Sequence, residues 1–404
     1  MGSTECRRCS NYWLLIYVFI VFVGIALIFF LTVFNWTVSD GTYSGVLFYC
    51  NIIKSNVTSF FPQVNIPFLT PLLKMFVSLI NLESNVPTCL YNGMDAYWHA
   101  WLRFVLPIYM LALAGVFICL GNKCSWIVRR NAVKVLASLV LLSYTKLLHI
   151  VIEAVHVTYL YVDNTYESRW YLDGNVKYFT GKHIPLVLAA SLIGLLLLPF
   201  TFCLLCIQFL QKVSHYSMFS WVHHLKPFFD AYTGPFTSAA RFWTGLLLLV
   251  RAVVFIFTAT NTEGDPKLNL GIITLSVLLL LSIALMLPQG LYEQRSLNIL
   301  ECWLLLNLGV LSTATSYALT KKASTNVTLC ATHLCVGTAF ITFTGIALYH
   351  IKPIKRFLRC IIRFCHNQRS SSHVKQSEDD SNVSQGQYPS LVSLFDHERE
   401  PLIY

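Results

Sequence analysis

An all-α, polytopic transmembrane helical bundle is the fold class the sequence predicts, with about eight spans, or nine on an alternative count, and a disordered cytoplasmic tail. Three observations predict it. Apolar runs of about 20 residues, the length a bilayer core demands, recur along the chain. Charged residues make up 12% of the chain, against roughly 25% in a soluble domain. The basic residues gather at the ends of apolar runs. The formal charge of +10 therefore reads as topology charge, and nucleic acid is not an expected partner.

The predicted spans are 12–34, 101–120, 132–156, 184–208, 242–260, 268–287, 297–319 and 331–350. Each must be helical, because lipid offers no partner to a bare backbone polar group. The first run, from Tyr12, has no clear cleavage site and reads as a retained anchor. Four regions result: 1–34, the N-terminus and first span; 35–100, an outer-face segment with an interfacial helix; 101–350, a seven-span bundle; and 351–404, a basic juxtamembrane segment and tail.

Basic residues set the orientation. Lys123, Arg129, Arg130 and Lys134 follow span two, and Lys212, Lys226 and Arg241 follow span four. Lys352, Lys355, Arg356, Arg359 and Arg363 follow span eight. With these loops cytoplasmic, the sequons at Asn35, Asn56 and Asn326 face outward, as glycosylation requires. Lys321 and Lys322 oppose this mildly. Cys50 and Cys89 share the outer segment and could pair in an oxidising space, or stand as two thiols. Residues 60–82 are apolar but hold Pro62, Pro67, Pro71 and Lys74. They read as an interfacial helix; if they cross, there are nine spans and the N-terminus is outside.

Span three carries the main functional candidates. Within 138–156, Lys146, His149, Glu153 and His156 fall three, four and three apart, on one helix face. Ionisable groups in a membrane normally face the bundle interior or a wet cavity and mark function. Lys146 lies roughly 20 Å from the inner end at 1.5 Å per residue, near mid-bilayer. Arg251 lies at comparable depth in span five, and Glu301 sits near the inner end of span seven. Lys146, His149, Glu153 and Arg251 are the candidate polar pathway, and helix–helix glue with snorkelling ends is the structural alternative. His149, Glu153 and His156 could hold a divalent metal only with help from a second helix. No P-loop, GxGxxG or Ser-His-Asp arrangement gives an argument for an enzyme, and no cofactor is expected.

The inner loop 211–241 is aromatic and basic, which suits either a helix against anionic headgroups or a packed hairpin. Pro227, Gly234 and Pro235 should break it before span five. Cys119, Cys124, Cys360 and Cys365 sit beside basic residues at membrane edges, a palmitoylation setting. The tail from His366 is polar and predicted disordered. It holds two sorting-type motifs: Tyr388 with Leu391, and Glu398 with Leu402 and Ile403. Both have the form that clathrin adaptors read, which points to the plasma membrane or an endo-lysosomal membrane.

Four stretches carry a family resemblance: TVSDGTYSGVLFYCNIIKSNVTSFFP (37–62), VPTCLYNGMDAYWHAWLRFVLP (86–107), DGNVKYFTGKHIP (173–185) and FSWVHHLKPFFDAYTGPFTSAARFWTGLLLLVR (219–251). Together they resemble the C-terminal membrane region of large surface proteins of sponges and other early-branching animals. That region is distantly similar to fungal TRP-like and flavin-carrier membrane proteins. The resemblance implies a polytopic membrane fold and a TRP-like ion channel or transporter. The alternative is a receptor-like or adhesion membrane protein without a pore. In such proteins an ectodomain precedes the first span, which would put the N-terminus outside and favour nine spans; the charge rule favours eight.

Overall fold

In a computed structural model of the chain, the described residues are 13–34, 36–55, 77, 95–124, 126–162, 164–209, 220–260, 266–321, 330 and 333–346. All belong to one compact unit, Met1–Ile351. The helices are α1 (Trp13–Phe34), α2 (Thr42–Ser55), α3 (Ala96–Cys124), α4 (Trp126–Val155), α5 (His183–Leu205), α6 (Ser220–Thr233), α7 (Trp243–Thr260), α8 (Pro266–Met286) and α9 (Arg295–Lys321). A shorter helix, α10 (His333–Ile346), follows. Between α4 and α5 lie β1 (Val157–Val162), β2 (Thr165–Trp170) and β3 (Asp173–Lys177).

Among the described residues, six helices are long and apolar enough to cross a membrane: α3, α4, α5, α7, α8 and α9. In addition, α1 runs 22 residues without a charged side chain. The spans of α4 and α7 are each 56% buried, so they form the centre of the bundle. That of α5 is only 22% buried, and it turns Leu188, Leu192, Leu195 and Leu196 outward. An apolar outer face is what a lipid solvent selects.

The structure corrects the reading of residues 35–100 as an outer-face segment. Every residue from 41 to 53 is buried, which makes α2 a core helix. Three of its side chains bond to other helices. The Tyr43 hydroxyl donates to the Ser138 carbonyl at 3.0 Å, the Tyr49 hydroxyl to Asn307 Oδ1 at 2.6 Å, and Asn51 Nδ2 to Thr145 Oγ1 at 3.0 Å. Gly45 leaves room for the Glu301 carboxylate of α9, which a Cβ there would force to shift.

The start of α2 fixes which end of the bundle receives α1. Tyr292, between α8 and α9, donates its hydroxyl to the Gly41 carbonyl at 3.3 Å. Tyr292 also stacks on Phe236, from the loop before α7, with centroids 4.8 Å apart. Residues 36–42 therefore share one end with the loops 234–242 and 287–294. So α1 descends to that end and α2 leads back from it. Of 60–82, only Val77 is described, and Asn35, Asn56, Asn326 and the whole tail, with Tyr388, Leu391, Glu398, Leu402 and Ile403, lie outside the described residues.

At the opposite end the chain adds an element the all-α class omits. A three-stranded antiparallel sheet, in the order β1-β2-β3, connects α4 to α5. Its strands, VTYLYV and TYESRW, are rich in β-branched and aromatic residues. A two-residue link joins them, with Asn164 at φ 64°, the left-handed region a tight hairpin uses. The sheet and the start of α5 close the end of α4. A helix leaves its last four carbonyls without partners in the helix. Here the Ile152 carbonyl accepts from His156 N–H at 2.9 Å and the Glu153 carbonyl from Trp170 Nε1–H at 3.0 Å. The Ala154 carbonyl accepts from His183 Nε2–H at 3.0 Å, and the Val155 carbonyl from the Tyr178 hydroxyl at 2.8 Å. The His183 tautomer follows from its other nitrogen, since Nδ1 accepts the Phe179 N–H at 3.0 Å.

The predicted break at Pro227 is also corrected. Pro227 lies inside α6, which ends at Thr233 before Gly234 and Pro235. Its second half packs on the bundle. Phe228 meets Phe200 and Tyr232, and the buried Tyr232 donates to the Ala137 carbonyl at 2.7 Å.

Candidate functional site

Helix α4 presents two polar faces to two neighbours. Thr145 faces α2 through its bond to Asn51. Lys146, His149 and Glu153, one step round the helix, face α3. Glu153 forms an ion pair with Arg103 of α3, and His149 Nδ1 lies 3.5 Å from the same carboxylate. This cluster is half-buried. Lys146 is also half-buried and within electrostatic reach of His99, which Arg103 and Glu153 also influence. Three of the four expected pathway residues thus share one face, with Arg103 as the added member. His156 is turned elsewhere and stacks on Tyr171 at 4.3 Å.

Arg103 was legible in principle. Antiparallel helices joined near residue 125 bring position 103 opposite about position 147, less than two turns from the acid. A cation near the start of one helix and an acid near the end of the next, antiparallel one invite pairing.

The structure does not bring Arg251 into that cluster. It lies across α2, and its side chain is fully buried. Nη2 donates to the Ser44 carbonyl at 3.3 Å. The guanidinium carbon sits 5.4 Å from the centre of the Phe48 ring, within cation–π range. Its Nε and Nη1 find no partner among the described residues, nor do the Ser44 and Ser143 hydroxyls and Asn51 Oδ1. Among those residues no carboxylate lies within ion-pair distance of Arg251.

Glu301 is the acid of this interior. It is buried, with Oε1 accepting from Trp243 Nε1–H at 3.2 Å and Oε2, at 3.2 Å, sharing the single Tyr292 hydroxyl proton with the Gly41 carbonyl. Gly45 lies against the carboxylate. Two donors from separate elements hold Glu301, while Arg251 keeps two donors open beside the same helix. Cys50 is fully buried on α2, and its suggested partner Cys89 lies outside the described residues. No group of three His, Cys, Asp or Glu side chains gathers at metal-ligand spacing among the described residues.

No family model matches this chain, and no curated protein or solved structure matches it either.

Proposed function

We propose that this chain is a multi-pass membrane transport protein with a polar pathway through the bundle interior, bordered by α2, α4 and α7. The observation that carries this reading is Arg251. A charge at the centre of a membrane helix costs about 2.5–3.5 kcal/mol on insertion scales. Glu301 acts on Arg251 only at longer range, without an ion-pair contact, and a buried cation with no contacting counter-charge needs water or an anionic group beside it. Two open guanidinium donors, the Ser44 and Ser143 hydroxyls and Asn51 Oδ1, all buried, are polar groups that such water would meet. The half-buried Lys146, His149, Glu153 and Arg103 extend polar character toward the far end of α4.

A second reading, a receptor-like or adhesion protein without a pore, is favoured by one observation. Arg251 also clamps α2, through the Ser44 carbonyl and the Phe48 ring. The substitution Arg251→Met separates the two. Vesicles holding the purified protein are assayed for sodium, potassium, calcium and chloride flux. On the transport reading the wild type conducts, and Arg251→Met loses flux while folding and reaching its membrane. A silent wild type, or an unchanged variant, overturns it; a variant more heat-stable than the wild type with no change in flux assigns Arg251 to packing.

We infer nine crossings rather than eight. With the basic loops cytoplasmic, the end shared by residues 36–42, 234–242 and 287–294 is the inner one. The first helix then enters from outside, and α2 begins a return crossing. The expected result is an N-terminal tag accessible from outside intact cells. Glycosidase should shift the wild-type mass, Asn326→Gln should remove part of that shift, and Asn35→Gln should leave it unchanged. A tag protected from outside, or a glycan lost with Asn35→Gln, restores the eight-span count.

A further inference from the structure

The sheet between α4 and α5 has two unlike faces. Residues directly opposite each other on paired strands share a face. Val157 pairs with Trp170, Tyr159 with Ser168, and Tyr161 with Tyr166. Tyr159, Tyr161 and Tyr166 therefore stand on the same face as Trp170. That residue points into the bundle, packed on Ala100, Phe104, Ile150, Ala154 and Leu186. The three tyrosines continue its face beyond the bundle edge, and they are 68%, 62% and 77% exposed. Tyr161 and Tyr166 form a cross-strand ring pair at 5.1 Å.

The opposite face is ionic. Glu167 pairs with Arg169 and with Lys177, and the hydrogen bonds from Lys177 and then Arg169 hold its carboxyl below the usual range. Lys177 on this face is exposed and its charge belongs in water, so this face looks away from lipid. Phe179 adds a fourth aromatic beside the first turn of α5. Its φ of 54° is uncommon for a bulky residue, it is fixed by the N–H bond to His183, and the ring stays 55% exposed.

We infer that this sheet is an interfacial anchor, with Tyr159, Tyr161 and Tyr166 seated among the lipid headgroups at the end of the bundle. Tyrosine suits that layer because its ring is apolar and its hydroxyl stays wet. A face of three exposed aromatic rings on the bundle side, backed by an ionic face, fits a boundary between lipid and water. The occupant is the headgroup layer of the bilayer, met where α4 ends and α5 begins. This rests on the reading of the helices as membrane-spanning.

The test places an environment-sensitive fluorescent amino acid singly at Tyr161, at Leu160 on the opposite face, or at Leu195 on the outer side of α5. Each full-length protein is reconstituted in phosphatidylcholine vesicles. Quenching is measured with nitroxide lipids labelled near the headgroup, for the sheet, and along the acyl chain, for Leu195, and with aqueous iodide. The expected result is strong lipid quenching at Leu195, lipid quenching at Tyr161 severalfold above that at Leu160, and iodide quenching greatest at Leu160. Lipid quenching at Leu195 together with iodide quenching at Tyr161 equal to that at Leu160 overturns the anchor but leaves the spanning reading intact. Protection of Tyr161 from both quenchers overturns it in favour of a protein partner or a second copy. Absence of lipid quenching at Leu195 overturns the spanning reading, and the anchor with it.

Discussion

Trp170→Ala is expected to lower the stability of the purified protein by about 3–5 kcal/mol, the range for removing a large buried aromatic. Trp170 is fully buried at the meeting point of α3, α4 and α5, against Ala100, Phe104, Ile150, Ala154, Leu186 and Ala190. Three of these neighbours are alanines, whose short side chains cannot swing into the vacated space. The indole N–H is also one of the four donors that close α4, so its loss leaves the Glu153 carbonyl without that partner. An unsatisfied buried acceptor costs about 1–3 kcal/mol. The expected readouts are a lower thermal midpoint in detergent and faster amide exchange across 157–177. Trp170→Phe keeps most of the ring volume but not the N–H, so it should lie between the wild type and the alanine variant. An alanine variant with unchanged midpoint and exchange would show that the sheet is not docked through this residue.

What was legible in the sequence, and what was not, divides along physical lines. The six apolar helices could be read because a bilayer core sets both their length and their composition, and α5 is the plainest case. The face of α4 was legible because helical spacing alone aligns Lys146, His149 and Glu153. Core helix α2 was not. It is 14 residues long and carries Asn51, Lys54 and several hydroxyls, which reads as a loop outside the membrane. Tyr43, Tyr49 and the Asn51 amide nitrogen are met by Ser138, Asn307 and Thr145, from 94 to 258 residues away in the chain. A local window cannot see such partners. The sheet did leave a signal, the alternation of TYLYV and TYESRW around Asp163-Asn164, but span-counting treats everything between spans as loop. Arg251 was recognised as deep, yet only the fold shows that it faces α2 and not the acid on α4.

Gly245→Ala carries the second large effect, and its sign comes from what a single methyl would meet. A Cβ at Gly245 would lie 2.5 Å from Leu205 N, 2.7 Å from the Leu204 carbonyl carbon and 2.9 Å from Leu205 Cα. All three are backbone atoms in the last turn of α5, so no rotamer change can relieve the clash. Only separation of α5 from α7 can, and α7 is one of the two most buried spans. Overpacking of this kind typically costs about 1–3 kcal/mol and occasionally more. Close backbone approach through a small residue is also how membrane helices gain packing energy, since lipid supplies no hydrophobic drive between them. The loss should reach Arg251, six residues further along α7, because moving α7 shifts the guanidinium relative to Ser44 and Phe48. Gly271→Ala on α8 is the internal control, because a Cβ there meets nothing within 4 Å. Alanine is the better helix former by about 0.8–1 kcal/mol, so that variant should be neutral or stabilised. Thermal midpoints of both variants, measured side by side in the same detergent, should diverge, with Gly245→Ala the lower. Equal midpoints would mean that α5 and α7 do not approach as closely as Leu205 and Gly245 require, and the placement of Arg251 across α2 would lose its support.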